Sequence, residues 1–167
     1  IPSRLPVAPP GRGLTKKQKL RRLVANYLAS SGQVEVLNYP FLTKEQNEYF
    51  SNSGSASVKL ANPMQEEVNQ LRLSLLPGLL EAAKRNLSRT LVDLSIYEMG
   101  LVFQAPVSAD SVNLPSGTEK PSDSDLAKLQ ASVPIQPLML GVLFVGDRLG
   151  QQVGRKSIRA SFADAIS

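Results

Sequence analysis

Apolar and polar positions along the chain predict a series of short elements. Leu20, Leu23, Val24, Tyr27 and Leu28 fall at helical spacing and make one continuous stripe. Thr15 ahead of them is placed to cap that helix, with Gln18 completing a capping box, and Gly32 stops it. Val34 to Leu37 is a short β-rich run ended by Asn38-Tyr39-Pro40. A second capping box, Thr43 with Gln46, precedes a short helix carrying Tyr49 and Phe50. Val58 to Leu60 predicts another strand, closed by Asn62-Pro63.

The middle of the chain is more regular. Pro77 suits a first helical position, and Leu79, Leu80, Ala83 and Leu87 form an apolar stripe behind it, opposite Glu81, Lys84, Arg85 and Arg89. Leu94 to Phe103 alternates over part of its length and predicts a strand, with Gly100 as a bend or bulge. Residues 105–137 are rich in proline, serine and acids and poor in large apolar side chains before Leu126. They are expected to be a long surface insertion, partly disordered, with one helical turn near Leu126 to Leu129. Leu138 to Val145 predicts a second strong strand, able to pair with the one before the insertion. Residues 146–160 are basic and glycine-bearing, and residues 161–167 begin a helix. No internal repeat is visible. Helices grouped around strands that a long loop separates imply an α+β domain: an antiparallel sheet flanked by helices.

Composition narrows the chemistry. The 167 residues contain neither cysteine nor histidine. A disulfide framework, a Cys- or His-ligated zinc site, Ser-His-Asp or Cys-His catalysis and a histidine base are therefore excluded. Carboxylates, Lys, Arg and Tyr remain. The run from Leu138 to Val145 is far short of the ~20 residues that span a bilayer. The proline-rich start does not read as a signal peptide, so no membrane association and a cytoplasmic location are expected.

Charge is uneven. Arg4, Arg12, Lys16, Lys17, Lys19, Arg21 and Arg22 all precede the first acid, Glu35, in a chain of net charge +5. The segment 4–22 is either an RNA-binding arm that neutralises phosphates or a solvated helix face behind a linker. No aromatic side chains interleave with these cations to stack on bases. Gly11-Arg12-Gly13 is too short for a phosphate loop, and Asp110, Glu119, Asp123 and Asp125 lack the spacing of a calcium loop. Arg72 is open to two readings, a nucleotide contact or a buried structural ion pair.

Four strings in order carry a family resemblance: Ile1-Pro2-Ser3-Arg4-Leu5-Pro6, Glu35-Val36-Leu37-Asn38-Tyr39-Pro40-Phe41, Leu71-Arg72-Leu73-Ser74-Leu75-Leu76-Pro77-Gly78-Leu79-Leu80 and Tyr97-Glu98-Met99-Gly100-Leu101-Val102-Phe103. Together they resemble the β subunit of bacterial phenylalanyl-tRNA synthetase, and within it the core domain built on the fold of class II synthetases. The resemblance implies that residues 1–14 are a linker from an upstream domain and 15–167 the core. It also implies that this core continues past a segment to which Ser161-Phe162-Ala163-Asp164 is loosely similar, so the chain is expected to be a C-terminally truncated piece. Editing and magnesium-associated residues would lie upstream, and the anticodon-binding domain downstream.

Class II motifs can be placed residue by residue. The first, a helix, a strand and a closing proline that build the subunit interface, corresponds to residues 15–40. The implied interface residues are Leu20, Val24, Tyr27, Leu28, Tyr39, Pro40 and Phe41, with Leu23 in the same stripe. The second motif would place an Arg on the ATP α-phosphate where this chain has Gln104, whose neutral amide cannot make a bidentate, charge-assisted contact. The resemblance therefore implies a non-catalytic domain with no catalytic, cofactor or metal residues of its own. It would dock the catalytic α subunit in an (αβ)2 complex that uses ATP and Mg2+ to join phenylalanine to tRNA(Phe). An active ATP-using class II domain and an RNA-binding module are the alternatives.

Overall fold

The computed structural model describes residues 3, 11, 13–51, 56–106, 117–118 and 120–166. Arg4, Arg12 and most of the 1–14 segment lie outside the described residues, as does residues 107–116 of the insertion.

Helix α1 spans Lys16–Ser30 and begins where the capping box places it: the Thr15 hydroxyl accepts from the Gln18 amide at 3.3 Å, and the Gln18 side chain accepts from the Thr15 amide at 2.9 Å. It closes at Ser31 and Gly32, whose amides donate to Tyr27 O and Ala29 O. Strand β1 (Val34–Glu35) and β2 (Phe41–Leu42) follow, then α2 (Lys44–Tyr49), capped reciprocally by Thr43 and Gln46. Val58 to Leu60 is not a full strand. It meets β3 (Gln70–Leu71) through a single bridge, Lys59 to Gln70, and two flanking backbone bonds. Helix α3 (Leu76–Leu87) holds Pro77 in its first turn, one position later than predicted.

Strand β4 (Leu94–Leu101) pairs antiparallel with β5 (Leu138–Val145) along its whole length, from Leu94 opposite Val145 to Leu101 opposite Leu138. Gly100 stands in regular register opposite Met139, so it is no bulge. β1 lies on the other side of β4 and runs parallel to it, giving the order β1-β4-β5. The fold is thus α+β, and the main sheet is mixed rather than wholly antiparallel. A parallel neighbour needs a long crossover, which α2, β3 and α3 supply here. The insertion carries α4 (Asp123–Ala131), longer than the single turn expected. A short antiparallel ribbon, β6 (Asp147–Leu149) with β7 (Ile158–Arg159), and α5 (Phe162–Ile166) complete the described elements.

The sheet is covered on both faces. On one side Leu75, Leu79, Ala82 and Ala83 of the α3 region pack with Ile96 and Val102. On the other Leu28, with Val24 and Ala25, packs on Tyr97 and Met99. This explains why β4 alternates poorly in sequence: Ile96, Tyr97, Glu98 and Met99 are all buried, as expected for a central strand between two helical layers. Leu80 and Leu87, predicted on the inner stripe of α3, are exposed. They lie on the flank of that helix, whose sheet contact is taken by Leu79, Ala82 and Ala83.

Candidate partner-docking face

The stripe on α1 divides between two environments. Leu28 is buried and Val24 partly buried against the sheet, and the Tyr97 hydroxyl donates to Ala25 O at 3.4 Å. Leu20, Leu23 and Tyr27 lie to the side of that contact and remain 61%, 67% and 64% exposed. Their spacing sets them in one row along the helix. α1 turns at Ser31 to Gln33 directly into β1, and the extended segment beyond it follows.

That returning segment also shows an apolar surface. Val36 packs into the core, and its amide donates to Tyr97 O at 2.8 Å. Leu37 is 91% exposed and Tyr39 85% exposed, while Asn38 between them is turned inward. Pro40 is half-buried, and its carbonyl accepts from the Arg72 amide at 2.9 Å. Phe41 is partly exposed at the start of β2. Of the interface residues implied by the sequence, Leu20, Tyr27, Tyr39 and Phe41 therefore present free surface. Leu28 is consumed by the chain's own core, and Val24 and Pro40 are intermediate. Leu37, the most exposed of this segment, had no place in that set. Its position two residues before Tyr39 in an extended run was the available signal.

The inward side of the segment rests on charge. Asn38 Nδ2 donates to Glu98 Oε2 at 2.7 Å, and Arg72 NH1 donates to Glu98 Oε1. Arg72 Nε donates to Leu101 O at 2.8 Å. Arg72 is thus a buried structural pair rather than a nucleotide contact, which decides between its two readings. Glu35 lies beside Tyr97, whose phenol is pushed up first by burial and then by the Glu35 carboxylate.

Tyr27 and Val34 also line a cleft of about 850 Å3 at the C-terminal end of α1. Two buried polar atoms on its walls, Gln33 Oε1 and Ser95 Oγ, have no hydrogen-bond partner among the described residues. The five cations of α1 (Lys16, Lys17, Lys19, Arg21 and Arg22) are all exposed, with no acid in the helix. Gln104 is exposed and forms a backbone bridge with Ile135. Among the described residues no group of three or more His, Cys, Asp or Glu side chains is placed to hold a metal. No helix among them is long and apolar enough to cross a membrane.

Residues 1–167 match the family described as the phenylalanyl tRNA synthetase beta chain CLM domain. The chain is 49% identical over all of its length to the phenylalanine--tRNA ligase beta subunit of Leifsonia xyli, and covers 20% of that protein. It is 39% identical over 99% of its length to the corresponding subunit of Thermobifida fusca, covering 21% of it. The chain thus spans about a fifth of the length of these relatives. In three dimensions it overlaps a pyrrolysyl tRNA synthetase of Desulfitobacterium hafniense with a TM-score of 0.44 and 22% identity, over 59% of this chain and 33% of the other.

Proposed function

This chain belongs to the phenylalanyl tRNA synthetase beta chain CLM domain family, and from that membership we propose that it is a non-catalytic assembly module. In this reading it docks the catalytic α subunit, in an (αβ)2 complex of the cytoplasm that joins phenylalanine to tRNA(Phe). ATP and Mg2+ are assigned to the α subunit. Gln104 supports that division, because it offers a phosphate no charge.

The observation that carries the reading is the unpartnered apolar face. Leu20, Leu23 and Tyr27 on α1 and Leu37 and Tyr39 beyond β1 leave large apolar side chains in water. Large apolar side chains left exposed along one helix and one extended segment mark an interaction surface. Aromatic side chains within it are the residue types that dominate interface energetics. The cations on the same helix favour a partner surface with acidic side chains around its apolar centre.

The test is reconstitution of the full-length β subunit with its α subunit. Tyr27→Asp in β should prevent a stable complex, because docking would desolvate an unpaired carboxylate. Circular dichroism of the variant β subunit should match wild type. A variant that keeps its fold and assembles normally would place the interface elsewhere.

A further inference from the structure

Residues 36–40 are held at three points. The Val36 amide is bonded to Tyr97 O, and Pro40 O to the Arg72 amide. Between these backbone ties the only inward side chain is Asn38, and it reaches Glu98 at 2.7 Å. Glu98 is fully buried and cannot follow a moving partner, because Arg72 NH1 holds its other oxygen at 2.5 Å. Arg72 in turn is fixed by Leu101 O. The first turn of α3 closes on the same amide side chain: a Cβ on Gly78 would lie 3.0 Å from Asn38 Cβ. In an extended chain, fixing residue 38 on one side fixes 37 and 39 on the other, about 7 Å apart.

We propose that Glu98 is a positioning residue for assembly: through Asn38 it holds the 36–40 segment so that Leu37 and Tyr39 stand out together as a two-point apolar plug. The partner surface that fits has two apolar pockets at that spacing. This rests on the docking reading above and adds to it that the plug is set before binding, so its ordering cost is not incurred on association.

The experiment uses full-length β subunit with its α subunit and measures the α–β dissociation constant. Four β chains are compared: wild type, Asn38→Ala, Leu37→Ala/Tyr39→Ala, and the triple variant. Leu37→Ala/Tyr39→Ala should weaken assembly by about tenfold or more. Asn38→Ala should weaken it by a similar factor although Asn38 points away from solvent. In the background without the plug, Asn38→Ala should add less than about twofold, because nothing remains to be positioned.

An undiminished Asn38→Ala effect in that background would make Asn38 merely structural and overturn the proposal. So would an Asn38→Ala chain that assembles like wild type. In both cases a loss on removing the plug would leave the docking reading standing. If removing the plug costs nothing, docking through this segment falls and the proposal with it. Should Asn38→Ala fold poorly, Asn38→Leu serves instead, since it keeps the size of the side chain and removes the donor to Glu98 without adding a charge.

Discussion

Arg72 and Glu98 meet at 2.5 Å with both side chains out of water, 7% and 1% exposed. The pair joins the end of β3 to the middle of β4 and, through Asn38, to the segment after β1. A buried pair of this kind contributes to stability only while both members remain, because either alone is an uncompensated charge in a low-dielectric site.

Glu98→Ala should therefore cost about 3–5 kcal/mol, whereas Arg72→Met with Glu98→Leu should cost less than either single change. Native-state hydrogen exchange over residues 94–101 of the β subunit measures this. Equal or larger loss in the double variant would contradict the pair's dominance.

Gly100→Ala should be comparably damaging. A Cβ there would collide with the Arg72 guanidinium, which is not free to swing away because Glu98 and Leu101 O hold it. The same exchange experiment should show protection of β4 falling. An Ala variant with wild-type protection would show that the guanidinium relaxes at little cost.

Much of this architecture was legible from local chemistry. Both capping boxes, the α1 stripe and the β4–β5 pairing follow from residues close in sequence or from a long apolar run. Non-local facts were hidden. That β1 is parallel to β4 depends on a crossover, and nothing within Val34–Glu35 encodes it. Gly100 read as a bulge because a strand glycine is ambiguous until its neighbour is known, here the guanidinium of Arg72. Leu28 and Leu20 share one periodic stripe, yet one is buried and the other in water, since periodicity gives a face but not how far the sheet beneath it extends.

The last helix gives a pH test. The Asp164 carboxyl is held below its ordinary range first by the Ser161 hydroxyl, then by the Ser161 amide and Arg148. A depressed carboxylate stabilises the fold above its unfolded pKa, about 3.9, and loses that contribution as pH falls through the lower folded value. Ser161→Ala should raise the Asp164 pKa toward the ordinary value, read by NMR titration of its side-chain carbon. An unchanged titration would remove the serine from the account.

The cations of α1 yield a further expectation. Replacing Lys16, Lys17, Lys19, Arg21 and Arg22 with Gln should leave tRNA affinity of the β subunit nearly unchanged at physiological salt, if they form a solvated face. Loss of about a hundredfold, with a reduced salt slope, would instead support an RNA arm.

Pyrophosphate exchange with phenylalanine, ATP and Mg2+ tests the division of labour. The β subunit alone should show none, given Gln104 at the implied phosphate position. Exchange by β alone, lost on replacing residues of this domain, would make the domain catalytic.

Docking through α1 is tested most directly by comparing a change at an exposed position of the helix with one at a buried position. Leu23→Asp points from the exposed row and Leu28→Asp from the buried one. In full-length β subunit, Leu23→Asp should leave hydrogen-exchange protection of β4 intact and abolish co-purification with α at micromolar concentration. Leu28→Asp should lose both. A Leu23→Asp chain that keeps its protection and still co-purifies with α in wild-type yield would contradict the assignment of this face.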